Sequence, residues 1–246
     1  MIKFLTTLAI VFASSLAPVF ADGVLVFGGT GQLGAYHVQL LAQQGETVTV
    51  FHRPTSSFKR LDGLEYSRVS GDLLDQDTVV AAMAQVKPSV VIDTSARRGE
   101  RLQAEEPFYA EVMNNIVKAA IAADSVKQII IHSSVGVRAS AEPLQREHGY
   151  NTDSPNMRDK AKAEVLLEQS GLPYTIIRNG LLEFEPVAAT GNARLTEDEA
   201  VFGRITRADL AGLTLTCIDN EDCLGKILHA VDDTLQGPRP RPEASE

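Results

Sequence analysis

Val24-Leu25-Val26-Phe27-Gly28-Gly29-Thr30-Gly31-Gln32-Leu33-Gly34 is the stretch whose reading decides the fold. Its first four residues are apolar, mostly β-branched or aromatic, and suit a buried strand. Glycines follow at Gly28, Gly31 and Gly34, and then an amphipathic run from Ala35 to Gln44 closed by Gly45. Strand, glycine turn and helix is the order of a dinucleotide-binding unit. Without a Cβ at Gly28 and Gly31 the chain can turn tightly and let a pyrophosphate approach the backbone. The open N–H groups and dipole of the next helix favour the negative phosphate. Gly34 lets that helix pack close to the strand, and Thr30, Gln32 and Leu33 complete the expected contacts of the turn. Taken alone, the stretch also reads as a plain tight turn.

The same alternation continues along the chain. Thr47 to Phe51 reads as a second strand, ending at His52-Arg53-Pro54. Where many NAD-binding units carry an acid for the ribose hydroxyls, this chain has Arg53, with Lys59 and Arg60 close behind. An arginine there suits the 2′-phosphate of NADP; a solvated surface arginine is the other reading. Tyr66 to Val69 leads into Gly71-Asp72-Leu73, where Asp72 can accept from an adenine amino group or cap the helix expected over Asp75 to Val86. Ser89 to Asp93 is a buried strand ending in Thr94-Ser95-Ala96, small residues that leave room for a cofactor at the carboxyl edge. Arg97 to Arg101 is a basic loop, either solvated or facing an anionic substrate.

Pro107 to Ala123 has helical spacing, with Asn114 and Asn115 placed to hydrogen-bond neighbouring strand ends. Gln128 to His132 is the next buried strand; Ser133 and Ser134 follow where a ligand would sit, and His132 reads as a packed strand-end residue. No periodicity runs from Val135 to Asn156, so a loop over the site is expected. Met157 to Ser170 reads as a helix closed by Gly171, and Tyr174 to Arg178 as a sixth strand closing at Asn179, a further expected cofactor contact. Glu185 to Val201 is polar with a weak strand signal. Thr206, with Asp209 three residues on, caps a last helix to about Cys217, and Lys226 to Ala230 is a final strand. The fold class is therefore α/β: a doubly wound, mostly parallel Rossmann-type sheet with helices on both faces and a small C-terminal substrate-side region.

The chain has 246 residues, 44% of them hydrophobic, enough for one domain with a sizeable core. A formal net charge of −9 argues against nucleic acid and anionic membranes as partners. Residues 1–21 carry a single charge, Lys3, before an apolar run, with Val19-Phe20-Ala21 as a cleavage site; they read as a secretory signal peptide. Residues 22–236 then form one nucleotide-binding domain, and 237–246 a disordered tail. The two cysteines, Cys217 and Cys223, are compatible with a disulfide or with two ordinary small residues. The five histidines show no metal-ligand spacing.

Together these motifs resemble the atypical short-chain dehydrogenase/reductase superfamily, its NmrA-like, NAD(P)H-binding branch related to the NAD-dependent epimerases and dehydratases. The resemblance rests on Gly28 to Gly34, Gly71-Asp72-Leu73, His132-Ser133-Ser134, the run from Lys160 to Arg178, and Ile205 to Ala211. It implies a cofactor, NADP with NAD possible, lying across the carboxyl edge of the sheet, and a small-molecule substrate. Catalytic relatives use a Tyr-x-x-x-Lys pair. In them the lysine lowers the tyrosine pKa and orients the nicotinamide ribose; Lys160 fits that lysine, which makes it an expected cofactor contact as well, and Ser134 fits the active-site serine, but Asn156 stands in the tyrosine's place, and an amide is no acid near neutral pH. Tyr150 is ten residues before Lys160 and would need the loop to deliver it. Lys160 also reads as a surface partner of Glu164. Two functions are compatible with this pattern: an NADP-preferring oxidoreductase acting on a quinone-like or other conjugated molecule, and an exported, non-catalytic nucleotide-binding or sensor protein. An export signal and a cofactor that is scarce outside the cytoplasm pull against each other. No motif encodes the oligomeric state.

Overall fold

The computed structural model describes residues 23–97, 106–184 and 187–235. The leader, the tail and most of the basic loop lie outside the described residues. The chain runs β1 (Val24–Phe27), α1 (Gln32–Gln43), β2 (Val48–His52), β3 (Ser67–Ser70), α2 (Gln76–Val86), β4 (Val90–Asp93), α3 (Tyr109–Ala123) and β5 (Gln128–Ser134). It continues with α4 (Ala141–His148), α5 (Pro155–Glu168), β6 (Tyr174–Asn179), β7 (Leu181–Leu182), β8 (Ala193–Thr196), β9 (Arg204–Ile205), α6 (Arg207–Thr216) and β10 (Lys226–Asp232).

Strands lie in the order β3-β2-β1-β4-β5-β6-β10, all parallel. The order reverses between β1 and β4, which opens a crevice at the carboxyl edge beside the glycine turn. Period-two alternation sorts the strand residues into two cores. Val24, Val26, Val90, Ile92 and Ile130 face α1 and α6. Leu25, Phe27, Val91, Ile129 and Ile131 face α2, α3 and α5. Nearly continuous apolar strands are what a parallel sheet covered on both faces requires.

Helix starts follow the expected capping chemistry. Asp75 accepts the Asp77 N–H at α2, and Ser154 the Met157 N–H at α5. Thr206 accepts the Asp209 N–H at α6 while donating to the Asp209 carboxylate at 2.6 Å. Asp72 caps no helix; its Oδ1 accepts the Leu74 N–H at 3.0 Å.

One expectation needs correction, and one weak signal is placed. The stretch from Val135 to Asn156 is not a continuous loop, because it contains α4 and the first residues of α5. Helix α4 buries one apolar residue, Leu144, so it leaves no periodic signal; Gly149 ends it with φ +65°. The polar stretch after Phe184 contains β8, which pairs antiparallel with β10. β9 also pairs with β10, and β7 runs parallel to β9. The preceding turn is tied down by Asp209, which accepts the Thr190 and Gly191 N–H groups at 2.8 and 3.0 Å. The Thr190 hydroxyl also reaches Asp232. Cys217 and Cys223 form a disulfide, both halves buried. It lies at the amino edge of the sheet, where the Cys217 and Cys223 carbonyls accept from Gln128 and Thr175.

Candidate functional site: a dinucleotide groove and a half-buried lysine

The glycine turn is built for close approach. Gly28 has φ +74°, and a Cβ there would stand 2.8 Å from Thr94 Oγ1 and 2.9 Å from the Ser95 nitrogen. A Cβ at Gly34 would meet the Gly28 carbonyl oxygen at 2.3 Å, so α1 sits against β1 only because that position is bare. Gly31 has φ −75° and caps α1 without any side-chain hydrogen bond, and no acidic residue lies in the first turn of the helix. Its N–H groups are thus left for an anion.

A groove of about 810 Å³ opens in front of this turn. Of the expected contacts, Gly28, Thr30, Gly31, Arg53, Asp72, Leu73, Thr94 and Ser95 line it. Gln32, Leu33 and Gly34 form the first turn of α1 behind it. Arg53 shares the rim with Ser56, Ser57 and Arg60, and neither arginine is in an ion pair among the described residues. The rim loop is braced by Phe58, whose ring lies 4.1 Å from the Arg68 guanidinium and 4.8 Å from the His52 ring. Asn115 Nδ2 holds the Leu73 carbonyl at 2.9 Å, fixing the opposite wall from α3. The Thr94 hydroxyl donates to the Phe27 carbonyl at 2.8 Å, which leaves its oxygen only as an acceptor toward a ligand.

Lys160 projects from α5 toward the carboxyl ends of β4 and β5, outside this groove lining. Its ammonium sits 4.8 Å from the centre of the Tyr109 ring. Glu164 is not its ion-pair partner: that carboxylate is buried and takes Arg178 through both oxygens, at 3.1 and 2.7 Å. Burial pulls the Lys160 ammonium down to about 8, with Glu164 and Asp93 resisting. Burial likewise pushes the Asp93 carboxyl up to about 6, against the Ser95 N–H bond and Lys160. Tyr109 is raised, chiefly by burial, and its hydroxyl accepts the Arg97 N–H at 3.2 Å. Tyr150 stacks on Phe202 at 5.1 Å and is 43% exposed, so the tyrosine at Lys160 is Tyr109.

Ser133 and Ser134 diverge, because successive strand residues face opposite sides. Ser133 shares the face of Ile131 and Lys160 and is 2% exposed with an unpartnered hydroxyl. Ser134 ends β5 in register with Asn179, whose amide donates to the Gly180 carbonyl. Asn156, one turn before Lys160, also carries a buried unpartnered Oδ1. His132 turns to the other face, where its Nε2 meets His37 Nε2 at 3.2 Å and Thr214 Oγ1 at 3.3 Å. Burial, the His37 ring and Lys160 keep His132 well below the usual imidazole range. Both rings are therefore neutral near pH 7, and His132 is a packing residue.

These features fit a dinucleotide. An uncapped helix start, a glycine turn that admits no Cβ, a groove of sufficient volume and buried polar atoms without partners at Ser133 and Asn156 are what the bound group would complete. Sequence reading missed Tyr109, Asp93 and Asp159, whose carboxylate receives three N–H groups at the start of α3. Only Asp93 left a signal, as a charge ending the apolar strand Val90-Val91-Ile92.

Residues 28–221 match the NAD(P)H-binding family. Sterol demethylase protein B of Methylococcus capsulatus is 28% identical over 88% of this chain and 76% of its own length. The fold is shared with ChuY, an anaerobillin reductase from Escherichia coli O157:H7, at a TM-score of 0.68 and 23% identity over 87% of this chain and 99% of that one. A short-chain dehydrogenase/reductase from Veillonella parvula, solved in complex with NADP, superposes at 0.67 with 17% identity, covering 88% and 97% of the two chains. The chain belongs to the NAD(P)H-binding family, a Rossmann-fold branch of the atypical short-chain dehydrogenase/reductases.

Proposed function

We propose that the protein is an NADPH-preferring reductase of a small conjugated molecule, with Lys160 as its proton donor. The observation that carries this reading is the half-buried ammonium of Lys160 on the Tyr109 ring, drawn down to about 8, the range in which an amine can give up a proton near neutral pH. When bound, the reduced nicotinamide supplies a hydride to a carbon of the acceptor. The glycine turn and the start of α1 would hold the pyrophosphate, and Asp72 and Leu73 the adenine side. Arg53 and Arg60, with Ser56 and Ser57, would take the 2′-phosphate; two guanidinium groups on one rim, without an ion pair among the described residues, support NADP over NAD. Ser133 and Asn156 would satisfy their unpartnered oxygens on the nicotinamide half. As the acceptor gains negative charge, Lys160 delivers a proton to it and is reprotonated from water. Ser134, at the strand end, can hydrogen-bond the same acceptor. Asn156 has no proton to lend, so the lysine acts without the family tyrosine.

We also place the protein in an exported compartment. The leader pattern of residues 1–21 supports this, as does the Cys217–Cys223 disulfide, which suits an oxidising environment. N-terminal sequencing of protein from its source cell tests the point; a retained Met1 would defeat cleavage.

The reductase reading is tested by NADPH oxidation with a panel of quinones and aldehydes, using residues 22–246. Lys160→Ala should lower kcat by about 10²- to 10⁴-fold with NADPH affinity little changed. Full turnover in that variant, or no oxidation by any acceptor in the parent, sinks the proposal.

A further inference from the structure

Among the described residues, neither a hydrogen bond nor an ion pair reaches the Lys160 ammonium. The carboxylates of its own helix are committed elsewhere. Asp159 accepts the N–H groups of Phe108 and Tyr109 through one oxygen at 2.7 and 2.8 Å, and that of Ala110 through the other at 3.2 Å. Glu164 is held through both oxygens by Arg178 from β6, and Arg138 approaches it to 3.6 Å. Asp93, at the end of β4, accepts the Ser95 N–H through Oδ1 at 2.8 Å and acts on Lys160 only from beyond bonding distance. His132, from β5, is neutral, and Asn156, one turn back on α5, is uncharged.

What the ammonium meets is the face of a ring. The Tyr109 ring, from α3, has its centre 4.8 Å from Nζ, inside the range over which an aromatic face attracts a cation. The ring is pinned at both ends. Asp159 takes its backbone N–H at 2.8 Å, and its hydroxyl accepts the Arg97 N–H at 3.2 Å. Phe108 packs against it at 5.2 Å between ring centres, with the planes at 84°. Tyr109 is 8% exposed, so it has no room to swing its positive edge toward the lysine. The nearest other cation, the Arg97 guanidinium, lies 5.7 Å from the Phe108 ring centre.

We propose that Tyr109 is the positioning residue of Lys160, the face of its ring holding the ammonium in the site by a cation–π contact. The contact is selective for charge. The ring quadrupole attracts an ammonium and has little hold on a neutral amine, and the attraction is strongest where water is excluded. Burial works the other way and drives the proton off. The ring therefore opposes that loss and keeps the side chain both charged and aimed. In turnover the ring would hold Lys160 until its proton leaves, and then favour reprotonation of the amine. That role in turnover rests on Lys160 being the proton donor; the contact itself does not.

The contact can be read without cofactor or turnover. Competitive acetylation of the protein across pH, with mass spectrometry of the Lys160 peptide, gives the pH at which Lys160 is half-protonated. Tyr109→Phe keeps the ring face and should leave that pH nearly unchanged. Successively fluorinated phenylalanines at position 109 keep the ring in place while drawing charge out of its face. The half-protonation pH should fall with each added fluorine, by about one unit for the fully fluorinated ring. A structural role for the ring alone would not produce that graded fall. A second measurement needs no variant: by proton NMR of the parent, the Lys160 ε-methylene protons should lie upfield of those of exposed lysines, because they sit in the ring current of Tyr109. Should Tyr109→Phe not fold, this measurement decides alone. A Lys160 titration unmoved or raised by fluorination, or ε-methylene protons without an upfield shift, overturns the contact. Unchanged NADPH oxidation in Lys160→Ala, by contrast, would remove the proton-donor reading and leave the contact standing.

Discussion

The carboxylate of Asp159 on α5 accepts the backbone N–H of Tyr109 on α3 at 2.8 Å, across 50 residues of chain. The same oxygen takes the Phe108 N–H, so one side chain caps the next helix in trans. Asp159 immediately precedes Lys160. The bond thus fixes the Tyr109 ring against the lysine that the neighbouring residue projects. Asp159→Ala strips three N–H groups of their acceptor and should cost about 2–4 kcal/mol. In a domain of this size, thermal melting should show a drop of about 5–15 °C. Lys160 should then also be modified more readily by amine reagents, which a purely local loss of stability would not produce.

Glu164 and Arg178 form a buried, two-pronged ion pair, with side-chain exposures of 0% and 1%. Removing one partner leaves an uncompensated charge in the core. Glu164→Ala should destabilise the fold by about 3–5 kcal/mol in chemical denaturation, and Glu164→Gln by less. A loss below about 1 kcal/mol in Glu164→Ala would mean that Arg178 finds another acceptor.

Acid should unfold this protein through its buried histidines. His37 is fully buried, and burial lowers it from 6.5 to about 4, partly offset by its bond to the Leu33 carbonyl. His229 is also lowered to about 4, chiefly by burial and then by Arg178. Between pH 6.5 and 4 the unfolded chain binds protons that the folded chain refuses, so stability rises with pH there. The contribution is present above 6.5 and is lost as pH falls. His37 alone should account for about 2 kcal/mol between pH 6.5 and 5. His37→Phe should flatten the acid side of the melting profile; an identical slope would show that His37 does not carry it.

The elements that bury an apolar face were legible in the sequence, and those held by polar bonds were not. Val24 to Phe27, Gln128 to His132 and Tyr174 to Arg178 announce themselves because a parallel strand covered on both faces is apolar throughout. Helix α4 rests on Leu144 alone, and β8 is half-buried at a sheet margin, so neither has a pattern to find. The site divides in the same way. Gly28, Gly31 and Gly34 are local, and their spacing is their function. Tyr109 meets Lys160 only after α3 and α5 have packed, and nothing in the spacing of those residues encodes that meeting. Asn156 stands one turn before the lysine, where the family has its tyrosine, but what stands beside the lysine instead is set by tertiary contact.

The disulfide should matter for stability and not for the groove. Cys217 and Cys223 close a loop with a sequence separation of 6 at the amino edge of the sheet, while the groove lies at the carboxyl edge. Reduction, or the double change Cys217→Ala with Cys223→Ala, should cost about 2 kcal/mol. NADPH affinity measured below the melting temperature should be unchanged. A large loss of affinity would mean that the C-terminal segment reaches the groove.

Whether the Gly28–Gly34 turn and the Arg53–Arg60 rim hold NADPH is decided by titrating residues 22–246 with NADPH and with NADH by fluorescence. NADPH should bind more tightly. The double change Arg53→Ala with Arg60→Ala should weaken NADPH by about tenfold to a hundredfold and leave NADH nearly unaffected, erasing the preference. Binding of neither nucleotide at millimolar concentration would contradict the cofactor site, and an undiminished preference in the double variant would contradict its assignment to NADP.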